Sequence, residues 1–245
     1  MVLIAAVVSG CATPPAADDP EALAEFEATN DPIEPFNRGV FEFNLFIDRI
    51  LLKPAAQAYD WLFPAELKSS IHNILSNANE PVNLANATLQ GNMERAVTAL
   101  GRVLINTTLG IGGMIDVASD LGLGPIDEDF GQTLAVWGMG DGPYLMLPLL
   151  GPSSVRDGIG RGVDIFLDPM TYVLANSDKD FIGPSIMATT AVDLRARNLE
   201  RLDEIERTSV DFYAAIRSLY RQRRDDLIRN GEPSDDPFLS NGLEF

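Results

Sequence analysis

Five apolar residues, Phe36, Val40, Phe43, Ile47 and Ile50, recur at i, i+4, i+7, i+11 and i+14, the period of one face of an α-helix. The pattern returns down the chain, each time punctuated by proline or glycine. Lys53-Pro54 is expected to end the first helix. Leu67, Ile71, Ile74 and Leu75 form a stripe after Pro64, and Asn79-Glu80-Pro81 is expected to break it and open a helix bearing Val82, Ala85 and Leu89. Met93, Val97, Leu100 and Leu104 follow Gly91, and that helix is expected to stop at Gly110. Ser154 and Asp157 have the spacing of a cap for Val155, Ile159, Val163 and Phe166. A long arm runs from Leu194 to Leu227, with a break expected at Thr208-Ser209 and a stop at Asn230-Gly231. At the front, Asp31 and Glu34 have capping-box spacing, and regular helix is expected from about Pro35. No segment alternates cleanly over six residues, so the fold class is all-α.

The formal charge of −18 over 245 residues repels phosphate and anionic head groups, which argues against nucleic acid and against polybasic membrane docking. The charge is uneven: half of the Lys and Arg lie between Asp193 and Arg229, leaving the remainder strongly acidic. No apolar run reaches the roughly 18 residues of a spanning helix.

The first eleven residues, "MVLIAAVVSGC", put small residues ahead of a lone cysteine. They resemble a bacterial lipobox, in which the thiol of Cys11 receives a diacylglycerol after residues 1–10 are removed. Each buried CH₂ contributes about 0.8 kcal/mol, so the three acyl chains typical of such lipoproteins make an effectively permanent anchor. Ala12, where Asp would favour inner-membrane retention, leans towards the outer membrane. No basic residue precedes the apolar run, which suggests a start further upstream. Residues 11–29 read as a lipidated tether, 30–230 as the helical domain, and 231–245 as a disordered acidic tail.

Catalytic constellations are missing. His72 is the only histidine and sits in a helical stripe; "GIGG" at 110–113 lacks the spacing of a phosphate loop; no Cys/His cluster offers metal ligands. Asp127-Glu128-Asp129 is better read as an acidic first helical turn than as a cation site. Neither an enzyme nor a cofactor or metal is expected.

Two features stand out instead. Asparagine, a poor helix-interior residue, crowds the apolar helices at positions 37, 44, 73, 77, 79, 83, 86 and 106. These amides serve either as caps and helix–helix ties or as a polar lining within an apolar bundle. Gly158, Gly160 and Gly162 are read as packing positions. Then comes "GMGDGPYLMLPLLGPSSVRD", in which the oily Tyr144–Leu150 run lies between two Gly-Pro pairs. Pro148 makes it a poor helix and its lack of alternation a poor strand, so it is expected to be an irregular loop. It is either a rim or gate over a polar pore or a segment packed under neighbouring helices.

The blocks "DPIEPFNRGVFEFN", "NEPVNLANATLQG", "LINTTLGIGGMIDVAS", "EDFGQTLAVWGMGDGPYLMLPLLGPSSVRD" and "RRDDLIRNG" resemble, in order, those of the MlaA (VacJ) lipoprotein family, from Asn30 to about Gly231. The resemblance implies a ring of amphipathic helices around a polar channel, held in the inner leaflet of the outer membrane, with a long C-terminal helical arm. It implies removal of phospholipid that has strayed into the outer leaflet, delivery to the periplasmic carrier MlaC and then to an inner-membrane ABC transporter, and association with a trimeric porin. By the same resemblance Asn37, Phe43, Asn44, Asp48, Asn83 and Asn86 would line or gate the channel. Gly140, Gly142, Pro143, Tyr144, Leu145 and Pro148 would shape a pore loop, and Arg217, Arg221 and Arg224 would dock the carrier. The runner-up is a porin-bound structural or tethering lipoprotein that moves no lipid; a lipid-degrading enzyme comes third, for want of a convergent nucleophile and base.

Overall fold

The computed structural model describes residues 29–175 and 181–232. The lipobox with Cys11, all of the expected tether but its last residue, and the tail beyond Glu232 lie outside the described residues. The described chain is helical apart from one short hairpin. In order run α1 (Glu34–Ile47), a π turn (Asp48–Leu52), α2 (Lys53–Leu62), α3 (Ala65–Leu89), α4 (Met93–Thr108), the short α5 (Val117–Asp120), α6 (Phe130–Val136), β1 (Tyr144–Leu147), β2 (Gly151–Ser154), α7 (Val155–Leu167), α8 (Pro169–Ala175), α9 (Ile182–Arg197), α10 (Leu199–Thr208) and α11 (Phe212–Ile228). α3 packs on α4, α6 on α7, α2 on α9 and β1 on α1, while α11 lies across α6 and β2.

Proline ends fewer helices here than its sequence positions suggest. Pro54 does not stop the first helix. The chain passes from α1 through the π turn into α2, with the Lys53 N–H reaching back five residues to the Asp48 carbonyl. The wider turn admits a ring that has no N–H and would crowd a carbonyl four residues back. Pro81 likewise sits inside the 25-residue α3. An interior proline costs about 3 kcal/mol. It is offset by tertiary anchors on either side: Glu80 accepts from Arg102 Nε at 2.5 Å, and Asn83 bonds the loop at Ile126 and Glu128.

Caps follow the same logic. Ser154 accepts from the Asp157 N–H and starts α7 as its spacing predicts, and Asp129 caps α6. Asp31 does not cap α1, whose N-cap is Ile33 with no side-chain bond; regular helix begins at Glu34, one residue before the expected start. The arm breaks after Thr208 as expected, but Asp211 supplies the cap of α11. Asn230 and Gly231, both at positive φ, end it.

The Tyr144–Leu150 run corrects the expectation of an irregular loop. Tyr144–Leu147 pairs antiparallel with Gly151–Ser154, Tyr144 opposite Ser154 and Leu147 opposite Gly151. Tyr144 and Met146 are buried, Leu145 and Leu147 half-buried. The tip, Pro148 to Leu150, is exposed, with Leu149 at φ 63°. The free edge of β1 is completed by a helix. Asn37 donates to the Tyr144 carbonyl and accepts from the Met146 N–H, at 3.0 and 2.9 Å. Asn44 donates to the Leu147 carbonyl and accepts from the Leu149 N–H, at 3.0 and 2.8 Å. Two helical turns span about 10 Å, as do three strand residues. Two amides seven positions apart thus stand in for a third strand and leave no buried edge unpaired.

Of the three glycines in α7, Gly160 makes the closest approach. A Cβ there would lie 2.3 Å from the Gly131 backbone nitrogen on α6, whereas one at Gly162 meets nothing. Gly160→Ala is expected to destabilise the fold by about 1–3 kcal/mol or more through overpacking. Gly124→Ala, with open space around it, is expected to be neutral. Thermal unfolding of the two variants in detergent checks the pair.

Candidate functional site

The helical stripes face outward. On α1 and the π turn after it, Phe36, Phe43 and Ile50 of the apolar stripe are exposed; Asn37 and Phe41 are buried, with Asn44 and Asp48 half-buried beside them. On α4, Met93, Val97, Leu100 and Leu104 are exposed while Ala96, Ala99, Arg102 and Asn106 are buried. On α7, Ile159 and Phe166 are exposed while Arg156, Asp157 and Gly160 are buried. Trp61, 84% exposed, extends the same greasy exterior. Among the described residues, sixteen polar or charged side chains are buried against eleven apolar ones, five of them alanine, which reverses the usual partition. So many exposed large apolar side chains mark a surface made for lipid or for another protein. No described helix is long and apolar enough to cross a membrane.

The interior is a set of polar ties, most of them paired. Arg102, 2% exposed, ion-pairs with Glu80 and donates to the Leu123 carbonyl at 2.8 Å and to Ser119 at 3.0 Å. Asn106 donates to Asp116 and accepts from the Ala118 N–H, both at 2.9 Å. Asn86 donates to Asp164 and accepts from Thr133, both at 2.9 Å. Asp164 in turn receives the Phe130 N–H. Glu128 takes Arg95 and Gln90. Such groups are stabilising only because nearly every one has a partner; a buried pair broken on one side costs about 3–5 kcal/mol. Arg102 and Glu80, the strongest of these ties, carried no local motif; only their helical phase, 22 residues apart on paired helices, marks them.

These bonds place the sequence candidates. Asn37, Asn83 and Asn86 are buried and spend their amides on protein, so in this structure they tie elements together and do not face an open lumen. Phe43 is on the outside. Asn44 and Asp48 do border an opening: a groove of 260 Å³ between α1, the hairpin tip and the arm, walled by Phe41, Leu45, Leu149, Leu202, Phe212 and Ile216, with Arg195 in its lining. Of the loop residues, Tyr144 belongs to a small core with Phe41, Met146 and Tyr213. Gly142 takes φ 67° close to Val155, and Gly140, Pro143 and Pro148 are exposed. A second cavity, 270 Å³, opens between α3, the 127–129 turn and α7, among Asp127, Glu128, Asp129, Asp164, Asp168 and Arg161.

Arg217 and Arg224 of the arm turn inward onto carboxylates, whereas Arg223 beside them stays exposed. Arg217 reaches Asp31 at 2.7 Å and Glu34 at 3.1 Å beneath Tyr213, whose hydroxyl also donates to Asp31. Arg224 holds Asp129 and Asp157 at 2.5 and 2.8 Å. Arg221 lies 3.7 Å from Asp141. Arg38 adds an ion pair to Asp211 at 2.6 Å and stacks on Tyr213. Their proximity to carboxylates 67 to 186 positions away explains why a single helix's charge pattern could not reveal it. Burial acts to raise Glu34 and Asp129, but Arg38 and Arg217 on the one and Arg224 on the other outweigh it and hold both below ordinary carboxylate values. Asp211 is held down by its hydrogen bond from Arg38. His72, half-exposed as its stripe suggests, meets Asp193 at 3.0 Å.

An apolar shell around a hydrogen-bonded polar interior, with a groove opening beside it, defines a helical protein built to sit in contact with lipid or a greasy partner. Comparison with known proteins gives the family. The MlaA lipoprotein family model matches residues 29–227, and the chain belongs to that family. It is 32% identical to the intermembrane phospholipid transport system lipoprotein MlaA of Haemophilus influenzae, over 94% of this chain and 90% of that protein. It is 31% identical to the Escherichia coli protein of the same name, over 86% and 84%. A Rickettsia bellii protein is 38% identical over 81% and 77%. A solved structure, reported as the structural basis for maintenance of bacterial outer membrane lipid asymmetry, superposes with a TM-score of 0.72 at 35% identity, covering 81% of this chain and 98% of that one.

The arm clasp is expected to be acid-labile. Carboxylates held low in the folded state contribute stability above their ordinary values, 4.5 for Glu34 and 3.8 for Asp129 and Asp211, and lose it as pH falls through the lowered ones. Hydrogen exchange across residues 212–228 is expected to accelerate in acid before that of α3 and α4, whereas uniform acceleration would contradict the clasp.

Proposed function

We propose that this chain is an outer-membrane lipoprotein that removes mislocalised phospholipid from the outer leaflet and hands it to the periplasmic carrier MlaC, maintaining lipid asymmetry. One observation carries the reading beyond family membership: apolar side chains coat the outside and polar ones fill the inside. A charged head group at the bilayer centre costs at least about 2.5–3.5 kcal/mol on insertion scales. A protein that carries it across must offer polar contacts within and hydrocarbon contacts without. Irregular backbone at membrane depth is tolerated where it borders a wet cavity or is buried in protein, which suits the hairpin tip at Leu149. The relatives' names support phospholipid transport; MlaC, a trimeric porin and a continuous channel belong to the proposal.

In this reading α1 and the hairpin form the gate, with Asn44 as its latch and Asp48 on the groove wall. The exposed Leu149 and Leu150 meet acyl tails. The rival, a porin-bound tether, shares the exterior and needs no transfer.

Reconstitution in vesicles with labelled phospholipid, porin and soluble carrier separates the two. Transfer to the carrier that depends on this chain is expected; binding to porin without transfer would leave the tether. Asn44→Ala is expected to change the transfer rate several-fold while helix content stays unchanged. An unchanged rate would remove the latch.

A further inference from the structure

The groove beside α1 holds an unused donor. Arg195 is 7% exposed and lines it. Its Nε and Nη2 bind Asp48 at 2.8 and 3.2 Å, and Nη2 also reaches Asp203 at 3.2 Å. Nη1 is buried and has no hydrogen-bond partner. A buried N–H left unmade costs about 1–3 kcal/mol, more when the group is charged. In a native fold such a group calls for a ligand, an ion or a water.

Its surroundings narrow the ligand. The carboxylates nearby are already matched: Asp48 by Arg195, Asp203 by Lys53 and Arg195, Glu206 by Arg49. Three carboxylates face three cations, so the cluster has no net charge to repel an anion. The walls are hydrocarbon, from Phe41, Leu45, Leu202, Phe212 and Ile216. The mouth is flanked by Leu149 at the hairpin tip, 68% exposed. An apolar trough with a guanidinium in its lining, one of whose buried N–H groups has no partner, is complementary to an amphiphile with an anionic oxygen next to an acyl chain. A guanidinium is the group suited to phosphate oxygens.

We infer that this groove seats one phospholipid, its acyl chain along the wall made by α1 and the arm and a phosphodiester oxygen on Nη1 of Arg195. The inference rests on the phospholipid-transport reading and names the place where the lipid pauses. Because α1, the hairpin tip and α10–α11 all border it, a lipid seated there touches the three elements whose relative position opens or closes the groove.

The test uses the purified full chain in detergent and three radiolabelled probes: lysophosphatidylglycerol, monoacylglycerol of the same chain length, and inorganic phosphate. Lysophosphatidylglycerol is expected to bind about tenfold or more tighter than monoacylglycerol, the lower range for one charge-assisted hydrogen bond. Arg195→Lys keeps a cation beside Asp48 but removes the planar guanidinium fork that holds Nη1 apart from the bonds to Asp48 and Asp203, and is expected to erase that preference. Leu202→Trp fills the trough and is expected to abolish binding of both amphiphiles with unchanged circular dichroism. Equal binding of the two amphiphiles, or a preference that survives Arg195→Lys, overturns the seat; so does inorganic phosphate binding as tightly as the lysolipid, which would mark a simple anion site. Vesicle-to-carrier transfer is read separately: transfer without selective binding sinks this seat alone, and selective binding without transfer sinks the transport reading alone.

Discussion

A polar group taken out of water must find a partner, and this fold depends on that requirement. Its interior is rich in amides, guanidiniums and carboxylates, and phenylalanine, leucine and tryptophan side chains stand exposed on its exterior. In water such a partition would be unstable, because burial of apolar area at roughly 25 cal/mol per Å² is what normally drives folding. In contact with acyl tails the outward stripes lose nothing by exposure. Helices then associate through close packing and interhelical hydrogen bonds, as in membrane bundles. Gly131 against Gly160 supplies the first, and Asn83, Asn86 and Arg102 supply the second.

The same economy of partners joins the first helix, the hairpin and the arm. Asn37 and Asn44 complete the edge of β1 from α1, so the hairpin cannot shift without breaking four hydrogen bonds to one helix. Asp31 gathers Asn37, Tyr213 and Arg217, which links that helix to the arm. Helix, hairpin and arm are therefore one hydrogen-bonded unit bordering one groove.

Much of this was legible in the sequence. The apolar stripes set the helices, Ser154 and Asp157 set the start of α7, and Asn230-Gly231 set the end of the arm. The inversion was legible only in outline: Asn37, Asn44 and Asp48 form a polar face beside the stripe of Phe36, Phe43 and Ile50, but spacing does not say which face is buried, and the inside-out arrangement came from the family resemblance. What escaped were long-range events. The first strand has no alternation of polar and apolar residues because Leu145 and Leu147 on its half-buried face are apolar too, and its edge is closed by side chains far away in the chain. Pro54 and Pro81 looked like breakers because a π turn and a buried ion pair cannot be read from neighbouring residues. The inward ties of Arg217 and Arg224 escaped because their carboxylates lie on other elements. Arg195 gave no signal at all, its significance being a donor left over after Asp48 and Asp203 are satisfied.

The central claim is the inside-out partition, and electron paramagnetic resonance power saturation tests it directly. Spin labels are placed singly at Trp61, Val97 and Phe166, which are exposed, and at Ala99, which is buried, with the chain reconstituted in phospholipid vesicles. Labels at the first three positions should relax with oxygen, which concentrates in hydrocarbon, and ignore a water-soluble nickel chelate; the label at Ala99 should be shielded from both. Strong relaxation by the chelate at Trp61, Val97 and Phe166 would put that greasy surface in water and contradict the account.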